Sequence, residues 1–238
     1  MSEFGRSLHS ERIKAASLPA VPMASLAILA VGAILSIAFA VSRGGDDQMT
    51  ALDIGLAPIG YIQAGFVAIG TLLVTSEFSG GQLATSLAGV PRRVTFCSTK
   101  LVVVGSVGVA VGVVAVAVSV LVAVLSGATA VGLVRGVSWG LGGAIYLASI
   151  CLISASVALL MRRTLPTLCV VLVYYFIVGP LVRDRYSIAQ FLPDSAGYSI
   201  AFPGRSTSEI TLGALVLAAW CVGIAFLGVW RFRRTDAR

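Results

Sequence analysis

Long runs of apolar residues without a single charge divide this sequence, and they constrain its fold more than any other feature. A transmembrane helix needs roughly 17–25 predominantly apolar residues. Runs of about this length occupy residues 18–41, 54–76, 101–125, 137–161, 165–182 and 210–230. Because an unpaired charge in lipid costs at least a few kcal/mol, a chain that crosses a membrane keeps its charges between such runs. The pattern predicts an all-α integral membrane protein, with six transmembrane helices in one domain over residues 1–238.

The composition supports a membrane protein over a soluble one. Apolar residues make up 58% of the chain and charged residues 11%, whereas a soluble domain is about half apolar and a quarter charged. The formal net charge of +7 raises the question of nucleic-acid binding. The basic residues lie at the ends of apolar runs, however, so orientation in the membrane explains them better. We expect membrane lipid, and no nucleic acid, as a partner.

The distribution of basic residues predicts the orientation. Cytoplasmic loops of membrane proteins are enriched in Lys and Arg. With a cytoplasmic N-terminus, the inside segments hold twelve of the 17 basic residues, and the outside loops hold Arg43, Arg135, Arg183, Arg185 and Arg205. Both termini are therefore expected to be cytoplasmic. The acidic residues of the long last loop, including Asp194, are expected outside. Residues 1–16 either form a short amphipathic helix along the inner membrane surface or remain a disordered tail.

The residues that most membrane enzymes and ion-coupled transporters need are missing from the apolar runs. The one histidine, His9, precedes the first run, and no run contains Asp or Glu. This excludes a Ser-His protease, and the absence of HExxH excludes that class of zinc protease. We predict no catalytic residue and no metal site. Cys97, Cys151, Cys169 and Cys221 form no CxxC pair, so free buried thiols are expected.

The segment between the second and third runs is the most informative part of the sequence. Residues 77–100 read EFSGGQLATSLAGVPRRVTFCSTK. Its SGGQ resembles the signature of ABC-type ATPases, but the chain has no phosphate loop GxxxxGK[ST], so we interpret SGGQ as part of a cytoplasmic loop. A glycine pair allows a turn, residues 82–88 favour a short helix, and Pro91 ends it. Such a helix suits the transmission of movement to a cytoplasmic partner.

This segment resembles a pattern of the ABC-2 exporter permeases, E-x-x-x-G followed by Leu, P-R-R and a Lys that opens the next span. The matching residues are Glu77, Gly81, Leu87, Pro91, Arg92, Arg93 and Lys100. A second stretch, FLPDSAG at 191–197, resembles the L-P-x-x-A-G sequence before the last span of bacterial members. Gln82 departs from the pattern, because the family often has Thr after the glycine.

The resemblance implies a partner and a mechanism. Such permeases pair with a separate ABC ATPase, usually as two permeases, here an expected homodimer, with two ATPase copies in the bacterial cytoplasmic membrane. ATP and Mg²⁺ then belong to the partner, and this chain would be neither an enzyme nor a cofactor-binding protein. The N-terminal stretch would be a connecting helix, and the external loop 183–209 would fold back as short re-entrant helices. Coupling to the ATPase is expected at Glu77, Gly81, Gln82, Leu87, Pro91, Arg92 and Arg93.

The family analogy also suggests a substrate pathway along the second and fifth spans. There the chain carries Tyr61, Gln63, Thr71, Tyr174 and Tyr175. Alternatively, Tyr61 belongs to an interfacial aromatic belt, and the other tyrosines only pack against neighbours. Gly179-Pro180 is a candidate kink. We expect outward transport of a lipophilic drug, antibiotic or peptide-like cargo. The alternative function is a membrane scaffold or sensor that regulates a partner without transport.

Overall fold

The computed structural model of the chain describes residues 3–42, 49–78, 93–130, 132–183 and 185–234. Within these ranges all regular structure is helical, apart from an isolated bridge between Thr50 and Thr129. Short 3₁₀ turns cover Ser76–Phe78 and Ser187–Phe191, and a π-helical segment, Tyr174–Val178, joins α7 to α8. The α-helices are α1 (Glu3–Ser17), α2 (Ala20–Ser42), α3 (Ala51–Leu56), α4 (Ile59–Thr75), α5 (Arg93–Leu125), α6 (Leu133–Met161), α7 (Thr164–Val173), α8 (Gly179–Arg183), α9 (Pro193–Ala201) and α10 (Thr207–Arg234).

Six helical stretches of the described chain are long and apolar enough to cross a membrane, which confirms the predicted all-α membrane fold. They are Ala20–Ser42, Ala51–Phe78, Val94–Leu125, Val134–Met161, Thr164–Arg183 and Thr207–Arg234. All backbone polar groups inside a helix bond within the helix, so this architecture needs no water in the hydrocarbon layer. Five of the stretches begin within about four residues of the predicted run.

The third span begins at Arg93, earlier than the expected residue 101, so residues 93–100 of the predicted loop are helical. The hydroxyl groups in this turn bond back to the helix. Ser98 Oγ donates to the Thr95 carbonyl at 3.0 Å, and Thr99 Oγ1 donates to the Phe96 carbonyl at 3.0 Å. Lys100 is paired with carboxylates, as described below. The predicted run begins only at residue 101, because the polar residues before it have partners that the sequence pattern does not reveal.

The N-terminal stretch is helical over Glu3–Ser17, as one of the two alternatives predicted, while its location along the inner membrane surface stays a prediction. Ser7, Glu11 and Ala15 are spaced four residues apart and form a buried stripe on α1. The stripe packs on α5, where Ser7 Oγ lies 2.9 Å from Thr99 Oγ1. The outer face of α1 carries exposed basic and apolar side chains, among them Phe4, Arg6, Arg12 and Ile13. The helix is therefore amphipathic, with a polar contact on its inner side.

The long helix α6 is at the centre of the bundle, and glycines bring its neighbours close. A Cβ added at Gly108 of α5 would lie 3.1 Å from the Ala148 Cα, and one at Gly112 would lie 3.1 Å from the Ala144 carbonyl. Small residues at such spacing allow helix backbones to approach. The GxxxG pair of the third span therefore packs against α6 within the same chain.

Both described ends of the chain lie at the same end of the bundle. Near the end of α10, Phe232 packs against Phe78 and Phe96 at ring-centroid distances of 6.3 and 6.2 Å. Phe96 in turn lies 6.0 Å from Lys14 Nζ of α1. The predicted arrangement of both termini on one side of the membrane requires this geometry.

The prediction of buried thiols is confirmed for Cys97 and Cys151, which are buried, and wrong for Cys169, which is exposed. Thr167 and Val171, two residues to either side of Cys169, are buried. Residues two positions apart point to nearly opposite sides of a helix. Cys169 therefore faces away from the bundle. Cys221 is partly buried, and its Sγ lies 4.0 Å from the Ser149 carbonyl.

Close backbone packing between α4 and α6 predicts the effect of one added methyl group. A Cβ at Gly70 would overlap the backbone carbonyl of Cys151, so Gly70→Ala should destabilise the fold by about 1–3 kcal/mol through overpacking. Thermal unfolding of the purified protein in mild detergent measures this. Gly223→Ala is the matched control, because nothing lies within 4 Å of its added Cβ. Equal stability of the two variants would contradict the packing.

Candidate functional site

Two buried polar clusters lie at opposite ends of α4. The charged cluster consists of Glu11, Lys14, Glu77 and Lys100, and the Asp194 cluster consists of Gln63, Tyr146, Arg183 and Asp194. Gln63 and Glu77 are 14 residues apart, which corresponds to about 21 Å along a helix. Because buried polar groups are costly unless paired, both clusters are candidates for function.

Lys100 is the centre of the charged cluster. Its Nζ lies 2.9 Å from Glu11 Oε2 and 3.0 Å from Glu77 Oε1, and it also donates to the Leu73 carbonyl at 3.4 Å. The side chains of Lys100, Glu11 and Glu77 are each only 5–6% exposed. One ammonium group thus holds together α1, the end of the second span and the start of the third.

Lys14 completes the cluster from its partly exposed side. Its Nζ lies 3.0 Å from Glu11 Oε1 and 3.1 Å from Glu77 Oε1. Partial burial acts to lower the pKa of Lys14, but the hydrogen bond and charge of Glu11, with those of Glu77, outweigh burial and raise the pKa above its ordinary value. Lys14 is therefore a stable cation at any physiological pH. Among the described residues, two ammonium groups therefore face two carboxylates, and the charges of these four side chains sum to zero.

Aromatic rings pack beside the charged cluster. Lys100 Nζ lies 5.4 Å from the centre of the Phe96 ring, within the range of a cation–π contact. Phe232 stacks on Phe96 and contacts Phe78, and the Arg162 guanidinium lies 5.2 Å from the Phe232 ring and 5.8 Å from the Phe78 ring. A cleft of about 390 Å³ opens beside the cluster between α1 and the ends of α4 and α5. The cluster is therefore anchored to the bundle and reachable from one side.

The Asp194 cluster joins the other end of α4 to α6, α8 and α9. Tyr146 donates its hydroxyl to Asp194 Oδ1 at 3.0 Å, with Gln63 Oε1 at a longer 3.4 Å. Arg183 pairs with Asp194 Oδ2, and its guanidinium lies 4.1 Å from the centre of the Tyr198 ring. Asp194 is 1% exposed. Asp194 is expected in an external loop, whereas the structure places it near the start of a helix with its side chain buried; the side of the membrane on which it lies stays a prediction.

Glycines let α9 approach the cluster. A Cβ at Gly197 would overlap the Tyr146 ring, and one at Gly179 would overlap the Asp194 carboxylate. Gly142 and Gly213 similarly face backbone carbonyls of α9. Pro193 opens this helix, a position where its missing N–H costs nothing. The FLPDSAG stretch therefore ends a 3₁₀ turn at Phe191 and opens α9 at Pro193, and α9 packs tightly into the end of the bundle; its depth in a membrane stays a prediction.

The structure brings together some of the predicted pathway residues. Gln63 is buried in the Asp194 cluster, and Tyr175, 1% exposed, lies beside it with its ring 5.1 Å from that of Tyr174. Tyr61 is 56% exposed and packs near Phe39, as an aromatic-belt residue would. Thr71 is fully buried about two helical turns from Gln63, toward the charged cluster. Gln63, Tyr174 and Tyr175 thus lie together at the Asp194 cluster, whereas Tyr61 and Thr71 lie apart from it.

The predicted coupling residues fall partly inside the described chain. Glu77 belongs to the charged cluster, and Arg93 opens α5. Gly81, Gln82, Leu87, Pro91 and Arg92 lie outside the described residues.

Sequence reasoning gave no structural role to Glu11, Lys14, Tyr146 or Arg183. A detectable signal existed for the first two, because Ser7, Glu11 and Ala15 form an i, i+4 stripe with Lys14 one turn from Glu11. Tyr146 is one aromatic residue within an apolar run and carries no such signal.

No family model matches this sequence, and no curated protein matches it. Across the described ranges, no three His, Cys, Asp or Glu side chains lie close enough together to hold a metal ion. The function must therefore be inferred from the two clusters and from the motifs that contain them.

The buried pairing of Lys100 predicts a large cost for its removal. Lys100→Met leaves Glu11 and Glu77 buried with one fewer cation, so it should destabilise the protein by about 3–5 kcal/mol. Thermal unfolding in detergent measures the loss. The control is Arg205→Gln, whose exposed guanidinium lies 3.9 Å from Glu209 and should contribute little. If Lys100→Met unfolds like the control, the cluster does not hold these helices together.

Proposed function

We propose that this chain is the membrane-spanning permease subunit of an ATP-driven exporter of the ABC-2 type. The observation that carries the proposal is the charged cluster. It ties the amphipathic helix α1 to the two helix ends that flank residues 79–92, the segment whose motif resembles the ABC-2 coupling helix.

The geometry around residues 79–92 favours transmission of force. The segment follows the 3₁₀ turn that contains Glu77 and precedes α5, which forms the third span. Lys100 lies seven residues after the first residue of α5. The Glu77–Lys100 ion pair joins the helical residues before this segment to those after it. A partner that pushes on the segment would therefore move both helix ends as one unit, and α1 with them through Glu11.

The energy for transport comes from a second protein in this proposal. The sequence contains no GxxxxGK[ST] phosphate loop, so the chain has no recognisable means of cradling nucleotide phosphates. An ABC ATPase, in two copies with its own ATP and Mg²⁺, supplies hydrolysis. Two copies of the permease form the pathway, and the cargo is a lipophilic drug, antibiotic or peptide-like compound.

Charge supports the orientation that docking requires. The end of the bundle with α1 also carries Arg162, Arg163 and the basic end of α10, which includes Arg231, Arg233 and Arg234. Basic residues are retained on the cytoplasmic side. In the proposed arrangement this end faces the cytoplasm of a bacterial cell, and the Asp194 cluster faces outward. α4 runs between the two clusters.

Reporter fusions test the orientation. A fluorescent protein fused after Arg234 should fold and emit light, and alkaline phosphatase at the same site should be inactive, because that site is cytoplasmic. The control is the same pair of fusions after Gly204, in the segment between α9 and α10, where the activities should reverse. Active phosphatase at the C-terminal site would contradict the proposed orientation.

Purification from the native cell in mild detergent, followed by mass spectrometry, tests the partner. We expect an ABC ATPase at near equal stoichiometry with the permease. Arg92→Glu should reduce that recovery by at least roughly tenfold, because reversing a charge at a complementary interface costs on the order of 1.4 kcal/mol or more. Arg185→Glu, at the opposite end of the bundle, is the matched control and should leave recovery unchanged.

Glu77→Ala is a weaker test of docking, because the buried pair also supports the fold. Arg92→Glu separates the two effects if its thermal unfolding matches that of the wild type. Recovery of a folded complex that never contains an ATPase would instead favour the scaffold or sensor function. Full recovery of the ATPase by Arg92→Glu would remove the coupling assignment of residues 79–92.

A further inference from the structure

A small cavity next to Asp194 combines a buried carboxylate with aromatic walls. Its volume is about 140 Å³, and it lies between the start of α4, the middle of α6, the π-helical segment and α9. Its aromatic lining within the described chain consists of Tyr146, Tyr175, Phe176, Tyr198 and Phe202. A cation is attracted both by a carboxylate and by the faces of aromatic rings. The chemistry of this lining is therefore that of a site for an organic cation.

The protein itself already places a cation in this position. The Arg183 guanidinium pairs with Asp194 Oδ2 and lies 4.1 Å from the centre of the Tyr198 ring. Its side chain is 25% exposed, and among the described residues its buried Nε has no hydrogen-bond partner. In the described chain, Arg183 is thus held by the Asp194 carboxylate and the Tyr198 ring and not through its Nε. A guanidinium from outside could make the same contacts with Asp194 and Tyr198.

The hydroxyl of Tyr175 gives independent support for a ligand. Tyr175 lines the cavity and is 1% exposed, and its hydroxyl has no hydrogen-bond partner within the part of the chain that the structure describes. A buried polar atom without a partner costs free energy unless something fills its place. The oxygen is enclosed in this structure, so a bound cation would donate to it only after the neighbouring side chains move aside.

The cavity has a continuation toward the outer end of the bundle. A second cavity of about 260 Å³ lies on the other side of Arg183 and Tyr198, which line both spaces. Ser195 lines the second cavity, and in the described ranges its buried hydroxyl also has no hydrogen-bond partner. Rotation of the Arg183 side chain away from Asp194 would remove a wall between the two cavities. The same movement would free the carboxylate for a ligand.

We propose that the Asp194 cavity binds an organic cation with a guanidinium head, which replaces Arg183 on the carboxylate. The inference rests on the proposed function, because it gives the cargo of that exporter its chemical class. The cavity volume suits the cationic head. The exposed lining residues Gly60, Phe176 and Pro180 mark the side on which the apolar remainder of the cargo extends.

A matched pair of small probes tests the site in the purified chain alone, without an ATPase. Butylguanidinium carries the charge, and butylurea is its neutral counterpart of nearly the same shape. Thermal unfolding in detergent at increasing probe concentration reports binding, because a ligand of the folded state raises Tm. We expect a saturable rise with butylguanidinium and none with butylurea. Equal responses of the wild type to both probes would overturn the proposal.

Two variants make opposite predictions. Arg183→Ala removes the internal competitor, so butylguanidinium should bind at least about tenfold more tightly if the ion pair is closed nine-tenths of the time or more. Asp194→Asn should abolish the difference between the probes. Arg185→Ala, an exposed arginine two positions from Arg183, is the control and should bind as the wild type does. Unchanged affinity in Arg183→Ala would also overturn the proposal.

The measurement stays decisive if Asp194→Asn does not fold, because the wild type and Arg183→Ala carry the comparison of charged and neutral probes. It also separates this proposal from the exporter assignment. Failure of cation binding with an ATPase still co-purifying would overturn only the cargo class. Selective cation binding by a chain that recovers no ATPase would support the site and overturn the exporter assignment.

Discussion

A charge that is buried in an apolar bundle must be neutralised. In this protein that requirement holds together α1, the end of the second span and the start of the third. Lys100 lies within the third span and meets Glu77 from the second span and Glu11 from α1. Neither carboxylate comes from the helix of Lys100, so the ammonium group cannot be satisfied locally. The position of α1 and the early start of α5 both follow from this pairing. Such a cluster adds little net stability compared with apolar packing, but its partners are costly to separate.

The second cluster uses the same physics with a different balance. At the charged cluster, two cations share two carboxylates and each carboxylate contacts both. At Asp194, one carboxylate meets one guanidinium and a tyrosine hydroxyl, with an unsatisfied tyrosine nearby in the described chain. In the first arrangement the four described side chains pair with one another and hold helices together. The second has a replaceable member, which suits the exchange of one cation for another.

The sequence was sufficient to predict the helical class and the spans, because an apolar run of about 20 residues has few other stable outcomes. It also marked Glu77, Lys100 and the stretch around Asp194 through family-like motifs. It could not reveal their partners. Glu11 and its partner Lys100 are 89 positions apart in the chain, and Tyr146 and its partner Asp194 are 48 apart. Nothing in local periodicity pairs residues at that distance. Burial of Asp194 was missed for the same reason, since a carboxylate in a polar loop is normally solvated.

The glycines around α9 have a consequence for how the gene would tolerate mutation. Gly142, Gly179, Gly197 and Gly213 each face a backbone or cluster atom so closely that a Cβ would overlap it. None of these residues carries a side chain, yet any larger residue at these positions requires a neighbouring atom to move. Apolar residues on the lipid-facing surfaces, by contrast, can be exchanged for one another at little cost. A random mutational scan of this chain would therefore find its most intolerant positions at residues that have no side chain at all, set within a background that accepts almost any hydrophobic replacement.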